Sequence, residues 1–151
     1  MAKITRVDHV AYAVHNLDEA LPKVERLYGA KVLGRRLNPE GQYVVAFTLF
    51  GQSLVTFMES TSPEGFIAKH VEEKGESIQH LGMQVYNLEE LIAELEAKGV
   101  RVANKMLEGP VRKEALVGPR NAFGHVYQLI EWLGPYRQAS VEERLKAFFG
   151  V

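Results

Sequence analysis

The stretch DHVAYAVHNLDEA at 8–20 returns, with substitutions, as QHLGMQVYNLEEL at 79–91. At a constant offset of 71, His9 pairs with His80, Val14 with Val85, Asn16 with Asn87, Leu17 with Leu88 and Glu19 with Glu90, while acidic Asp18 meets acidic Glu89. A chain that writes one segment twice must build one unit twice, and this limits the fold more than any other feature. In each copy about seven apolar or alternating positions read as a strand, and a helical spacing follows. Asn16 and Asn87 are placed to cap the helices, with Glu19 and Glu90 completing capping boxes three positions on. Leu17, Leu21, Val24 and Leu27, then Leu88, Leu91, Ile92 and Leu95, line one helical face, and Gly29 and Gly99 stop the helices.

The rest of each copy is also related. AKVLGRR and VRVANK read as second strands. FGQSLVTFME at 50–59 and FGHVYQLIE at 123–131 align when the first is allowed one extra residue, pairing Thr56 with Gln128, Met58 with Ile130 and Glu59 with Glu131. The unit is strand, helix, strand, strand, strand. The predicted fold is therefore α+β, two tandem βαβββ modules of four strands each. One domain spans 1–151: module one at 5–60, a linker helix at 62–75 with Ser62 as cap and Pro63 at its first position, module two at 76–133, and a C-terminal helix at 140–150. Ser140 and Glu143 repeat the capping-box logic in that last helix, whose amphipathic pattern suits it to cover the sheet or a partner subunit.

Successive strand residues face opposite sides of a sheet. His9 therefore shares a face with Ala11 and Ala13, and His80 with Gly82 and Gln84, while Val10, Tyr12, Val14 and Leu81, Met83, Val85 face the helices. On the last strand Val126, Gln128 and Ile130 lie on one side and Tyr127, Leu129 and Glu131 on the other. An approximate two-fold relation between the copies would bring His9, Thr56, His80 and Gln128 to a common centre.

The formal net charge is −1, with both signs interspersed, which leaves no single-sign field for nucleic acid or an anionic membrane. The start MAKITRVDHV lacks the apolar core of a signal peptide, and no apolar run approaches the ~20 residues of a membrane span. A cytoplasmic location is the expectation. With zero cysteines, any metal must sit on His, carboxylate, amide or hydroxyl ligands.

The segments VDHVAYAV, STSPEGFIAKHVEEKGESIQHLGMQV and LEAKGVRV resemble the vicinal oxygen chelate superfamily (glyoxalase, bleomycin resistance protein, dioxygenase), and within it most of all methylmalonyl-CoA epimerase, over about residues 5–133. The resemblance implies two modules closing into an eight-stranded, half-barrel-like cleft around a metal, with ligands from the first, fourth, fifth and eighth strands. His9 and His80 match the first and fifth. Thr56 and Gln128 stand at the fourth and eighth, where the family carries an amide or carboxylate and a glutamate. The implied metal set is His9, His80 and Gln128, holding a divalent ion such as Co, Zn, Ni, Mn or Fe, and the implied base position on the third strand falls near Val44.

The resemblance further implies a small-molecule substrate, a small carboxylate or acyl thioester whose enolate the metal stabilises, and a homodimer. A non-haem iron dioxygenase of the same fold is the second reading. It needs two His and one carboxylate, and Glu131, otherwise a solvated strand end, would have to supply the carboxylate through a bulge. A metal-free small-molecule binding protein with a degenerate cleft is the third. Tyr43, Phe47, Met58 and Met106 are either pocket lining or core filling. His15, His70 and His125 read as surface residues, and Arg112 and Lys113 as charges on a mobile loop that either grip an anion or do nothing specific.

Overall fold

Both copies of the repeat fold as the alternation requires: a strand, a helix, then three strands. A computed structural model describes residues 2–151. The order is β1 (Lys3–Ala13), α1 (Leu17–Tyr28), β2 (Lys31–Asn38), β3 (Tyr43–Phe50), β4 (Ser53–Ser60), α2 (Phe66–Lys74), β5 (Ser77–Tyr86), α3 (Leu88–Ala97), β6 (Val102–Met106), β7 (Arg112–Val117), β8 (Val126–Trp132) and α4 (Val141–Phe149). The strands are hydrogen-bonded in the order β2-β3-β4-β1-β5-β8-β7-β6. Pairs β1/β4 and β5/β8 are parallel and the hairpins antiparallel, so this is a mixed eight-stranded sheet. The chain divides into two compact units, one of residues 9–79 with Val151, the other of the N-terminal residues to Asp8 with 80–150.

In the first unit the β1/β4 register runs from His9 opposite Leu54 to Ala13 opposite Met58. Leu17, Leu21 and Val24 of α1 bury against Ala46 and Phe57, with Tyr12 stacked on Phe57 at 5.4 Å. Each such fully buried side chain contributes about 1.5–3 kcal/mol before chain entropy is counted. Asn16 caps α1 as expected, its side chain accepting from the Glu19 N–H at 3.1 Å, and Gly29 ends it in the left-handed conformation.

The second unit repeats this plan, with Leu88 and Ile92 of α3 buried against Val85, Ala115 and Leu129. Its cap differs. Asn87 is itself left-handed, at φ 58°, and its side chain makes no capping bond. Asparagine tolerates that conformation. The linker helix also begins later than expected: Ser62 and Pro63 belong to the preceding turn, where the Ser62 hydroxyl bonds Glu64, and α2 starts after Gly65. Arg112 and Lys113 are not on a loop but open β7. Ser140 caps α4 through the Glu143 N–H at 3.1 Å.

Candidate functional site

Strand register fixes which side chains share a face in each unit. In residues 9–79, His9, Ala11 and Ala13 lie with Leu54, Thr56 and Met58, and with Val45 and Phe47 of β3, on the side away from α1. This side is closely packed: Thr56 is 4% exposed, Phe47 2%, Met58 3% and His9 9%. Phe47 and Met58 are therefore core residues, whereas Met106 is exposed. Tyr43 packs edge-on against Phe66 and accepts a hydrogen bond from Asn38. Val44, near which the base position was expected, faces away from His9. It pairs with Glu59 and packs on the α1 side, so the third-strand residues on the His9 side are Val45 and Phe47. A one-residue offset along a strand exchanges the faces.

In residues 80–150 the corresponding side carries far more polar chemistry. His80 lies opposite Val126 and Gly82 opposite Gln128 on the parallel β5/β8 pair. His80 and Gln128 are thus diagonal neighbours, with a residue lacking a side chain between them, an arrangement that lets two long side chains reach one ligand. On β7, Leu116 lies opposite Gln128 and Glu114 opposite Ile130, so Glu114 and Arg112 share this side. Glu114 Oε2 accepts from Gln128 Nε2 at 2.7 Å and from the Arg112 guanidinium at 2.7 Å. Arg112 is buried, with its guanidinium carbon 3.8 Å from the Phe148 ring centre and 5.3 Å from that of Trp132. Helix α4 therefore covers this side of its own unit. Arg144 fastens it by donating to the Tyr136 and Arg137 carbonyls and to Gln84 Oε1, and burial pushes its guanidinium below its ordinary value.

Glu114 was absent from the sequence-derived candidates. The signal was present in RKEALV, whose alternation puts Glu114 in phase with Arg112 and Leu116, but reading that stretch as a loop concealed it. Glu131, by contrast, is neither a solvated strand end nor bulged towards Gln128. It is buried on the α3 side, and its carboxylate accepts from the Asn87 N–H at 3.3 Å and the Leu88 N–H at 3.0 Å. Glu59 makes the equivalent bond to the Leu17 N–H at 2.6 Å. In both modules the last-strand glutamate satisfies orphan amides at the start of the module's own helix, where the helix dipole also favours a negative charge.

Of the other histidines, His15 and His125 are exposed, and His70 Nε2 lies 2.8 Å from Ser77 Oγ. Lys113 points to the opposite side of β7 from Glu114, where its ammonium donates to Glu89 at 2.6 Å; this hydrogen bond holds its pKa above the ordinary 10.5. Among the described residues no group of three or more His, Cys, Asp or Glu is placed to hold a metal ion. The candidate donors are instead imidazole nitrogens and the Gln128 amide oxygen. Such a set suits borderline divalent ions but supplies no negative charge of its own. Within residues 80–150 the half-buried His80 and Gln128 fit this use, since they share a side and the Gln128 amide has its nitrogen end engaged by Glu114.

Comparisons with known proteins agree with this architecture. A structure of methylmalonyl-CoA epimerase from Mycobacterium tuberculosis superposes with a TM-score of 0.77 at 23% identity, covering 90% of this chain and 93% of that one. A hypothetical protein from Bacillus halodurans C-125 gives 0.76 at 30% identity, covering 92% and 98%. Lactoylglutathione lyase GLX1 of Arabidopsis thaliana is 25% identical over 125 residues, which are 82% of this chain but only 43% of that protein, so the chain spans less than half of this relative. The profile of the glyoxalase, bleomycin resistance protein and dioxygenase superfamily matches residues 8–117, and the chain belongs to that superfamily.

Proposed function

We propose that the protein is a metal-dependent enzyme resembling methylmalonyl-CoA epimerase, in which His9, His80 and Gln128 hold a divalent ion and the substrate is a small carboxylate or acyl thioester. The observation that carries this reading is the diagonal placement of His80 and Gln128 across β5 and β8, repeated by sequence in the placement of His9 on β1. When bound, the ion would supply Lewis acidity to substrate oxygens and so favour an enolate. The protein's own part is to present neutral donors: two imidazoles and an amide leave the positive charge unbalanced, so an anionic substrate completes the site and is selected by it. His9 shares its closely packed side with buried Thr56 and Met58. The same reading takes the protein to be a cytoplasmic homodimer.

The iron dioxygenase alternative required Glu131 as its carboxylate ligand, and that carboxylate is committed to the start of α3. The metal-free binding protein keeps one specific support: buried Thr56 at the fourth-strand position offers at most a weak hydroxyl ligand. Elemental analysis of purified protein, followed by thermal melts with divalent ions for wild type, His9→Ala and His80→Ala, separates these readings. Metal content and histidine-dependent stabilisation are expected. Their absence with every ion tried leaves the binding-protein reading. Where an ion does bind, exchange of the α-proton of an acyl thioester for deuterium is expected, and its absence across a thioester panel would refute the epimerase-like chemistry. Light scattering on the eluting protein tests the dimer.

A further inference from the structure

Gln128 ends in an amide, and an amide presents two chemically opposite ends. Which end faces a ligand depends on what holds the other. Here the holder is Glu114 on the neighbouring strand, whose Oε2 lies 2.7 Å from Gln128 Nε2. A carboxylate accepts and does not donate, so only the nitrogen end of the amide can face it, and Oε1 is left directed elsewhere. The same Glu114 oxygen receives the Arg112 guanidinium at 2.7 Å, and the Arg112 side chain is only 6% exposed. Phe148 of α4 and Trp132 of β8 lie 3.8 and 5.3 Å from the guanidinium carbon. The chain of contacts thus runs from the C-terminal helix to the arginine, then to the glutamate and the amide.

From this we infer that Glu114 is a positioning residue for the metal ligand Gln128. It fixes the amide with its nitrogen end towards Glu114 and polarises it, so that the neutral oxygen left for a ligand donates more strongly than a free amide would. Carboxylates hydrogen-bonded behind a ligand commonly do this for histidine. The inference rests on the reading of His9, His80 and Gln128 as ion ligands. It also gives the otherwise uncharged donor set a carboxylate one bond removed, while Arg112 meets the cost of burying that carboxylate.

The test uses the full chain stripped of metal and titrated with Co²⁺, read by calorimetry and by the visible absorption of the bound ion. Glu114→Gln preserves shape but lets either amide end face Gln128. It is expected to weaken Co²⁺ binding by about 10-fold or more and to shift the visible bands. Gln128→Ala should have the same effect, and adding Glu114→Gln to it should then change little, since a residue acting through Gln128 has nothing left to position. Lys113→Gln, on the opposite side of the same strand, should leave affinity and spectrum unchanged.

If Glu114→Gln does not fold because Arg112 is left buried without its partner, the double variant Arg112→Met/Glu114→Gln removes both charges and carries the same expectation. Unchanged Co²⁺ affinity and spectrum in the Glu114 variants, with binding still lost in His80→Ala, overturns this inference and leaves the ion site standing. Co²⁺ binding that is absent, or indifferent to His9→Ala and His80→Ala, overturns both.

Discussion

Glu131→Gln should destabilise the protein while leaving any ion binding unchanged. The carboxylate is buried and receives two backbone N–H groups at the start of α3, at 3.3 and 3.0 Å, with the Arg137 guanidinium 3.8 Å away. Hydrogen bonds to a charged acceptor contribute about 1.5–3 kcal/mol, against about 1 kcal/mol for neutral ones. A partly buried charge at a helix terminus adds up to ~2 kcal/mol. The glutamine variant keeps the shape but turns one acceptor into a donor that faces an N–H, so a loss of about 2 kcal/mol is expected. Glu131→Ala leaves both amides without an acceptor and should lose about 3 kcal/mol.

For a chain of this length one kcal/mol shifts Tm by about 2–4 °C, which places the glutamine variant roughly 4–8 °C below wild type. The assay is thermal unfolding by circular dichroism, with a Co²⁺ titration of the same samples. Glu59→Gln should cost less, because Asn16 still caps α1 through the Glu19 N–H, whereas Asn87 offers α3 no such bond. A Glu131→Gln protein as stable as wild type, or one that loses ion binding without losing stability, would refute the capping assignment.

Other perturbations bear on the remaining structure. Phe148→Ala removes a ring that packs on both Arg112 and Trp132, and because it is only half-buried a loss of about 2 kcal/mol is expected, towards the low end for such truncations; chemical denaturation measures it. Thr56→Gln introduces a longer side chain at a buried position. It should lower Tm without ion, since overpacking costs about 1–3 kcal/mol, yet increase the stabilisation given by Co²⁺; no increase would mean that Thr56 does not face the ion. Lys113 has a folded-state pKa above the ordinary 10.5 because Glu89 accepts its hydrogen bond. Its contribution is therefore fully present below 10.5 and fades only as pH rises through the higher folded value. The Tm difference between wild type and Lys113→Met should stay constant from neutral pH to 10.5 and shrink above it.

What the sequence revealed of this fold was what two copies said together. Strand parity around His9 and His80, the helix faces apart from Leu27, which is exposed at the end of α1, and the partition of β8 into Gln128 and Glu131 sides all follow from local periodicity, and the repeat checks each one against its twin. The errors fall where the copies part company or where position depends on distant backbone. Asn16 and Asn87 are matched in sequence, yet only the first caps, because the left-handed Asn87 hands the task to Glu131 from the far end of the module. Parity had put Glu131 on the helix side correctly. What it could not supply was that the first amides of α3 lie beside it, a fact of tertiary packing. Near Val44 a one-residue offset matters: Val44 faces α1, and its neighbour Val45 faces the His9 side.

The same comparison of copies shows where their polar side chains differ. Met58 and Ile130 are equivalent by the repeat; Val45 lies opposite the first and Glu114 opposite the second. Val45 and Glu114 are therefore equivalent, and Thr56 is equivalent to Gln128. Module one has an apolar residue and a short hydroxyl at these two places, packed and nearly inaccessible, while module two has a carboxylate and an amide in contact. An eighth-strand glutamate would put a formal charge directly on an ion. In this chain the amide stands there and the charge sits one strand over, neutralised by Arg112. Under the proposed ligand set, an incoming substrate meets donors whose charge is held at one remove. Affinity should then depend more steeply on the charge of the incoming substrate than it would with a carboxylate in direct contact.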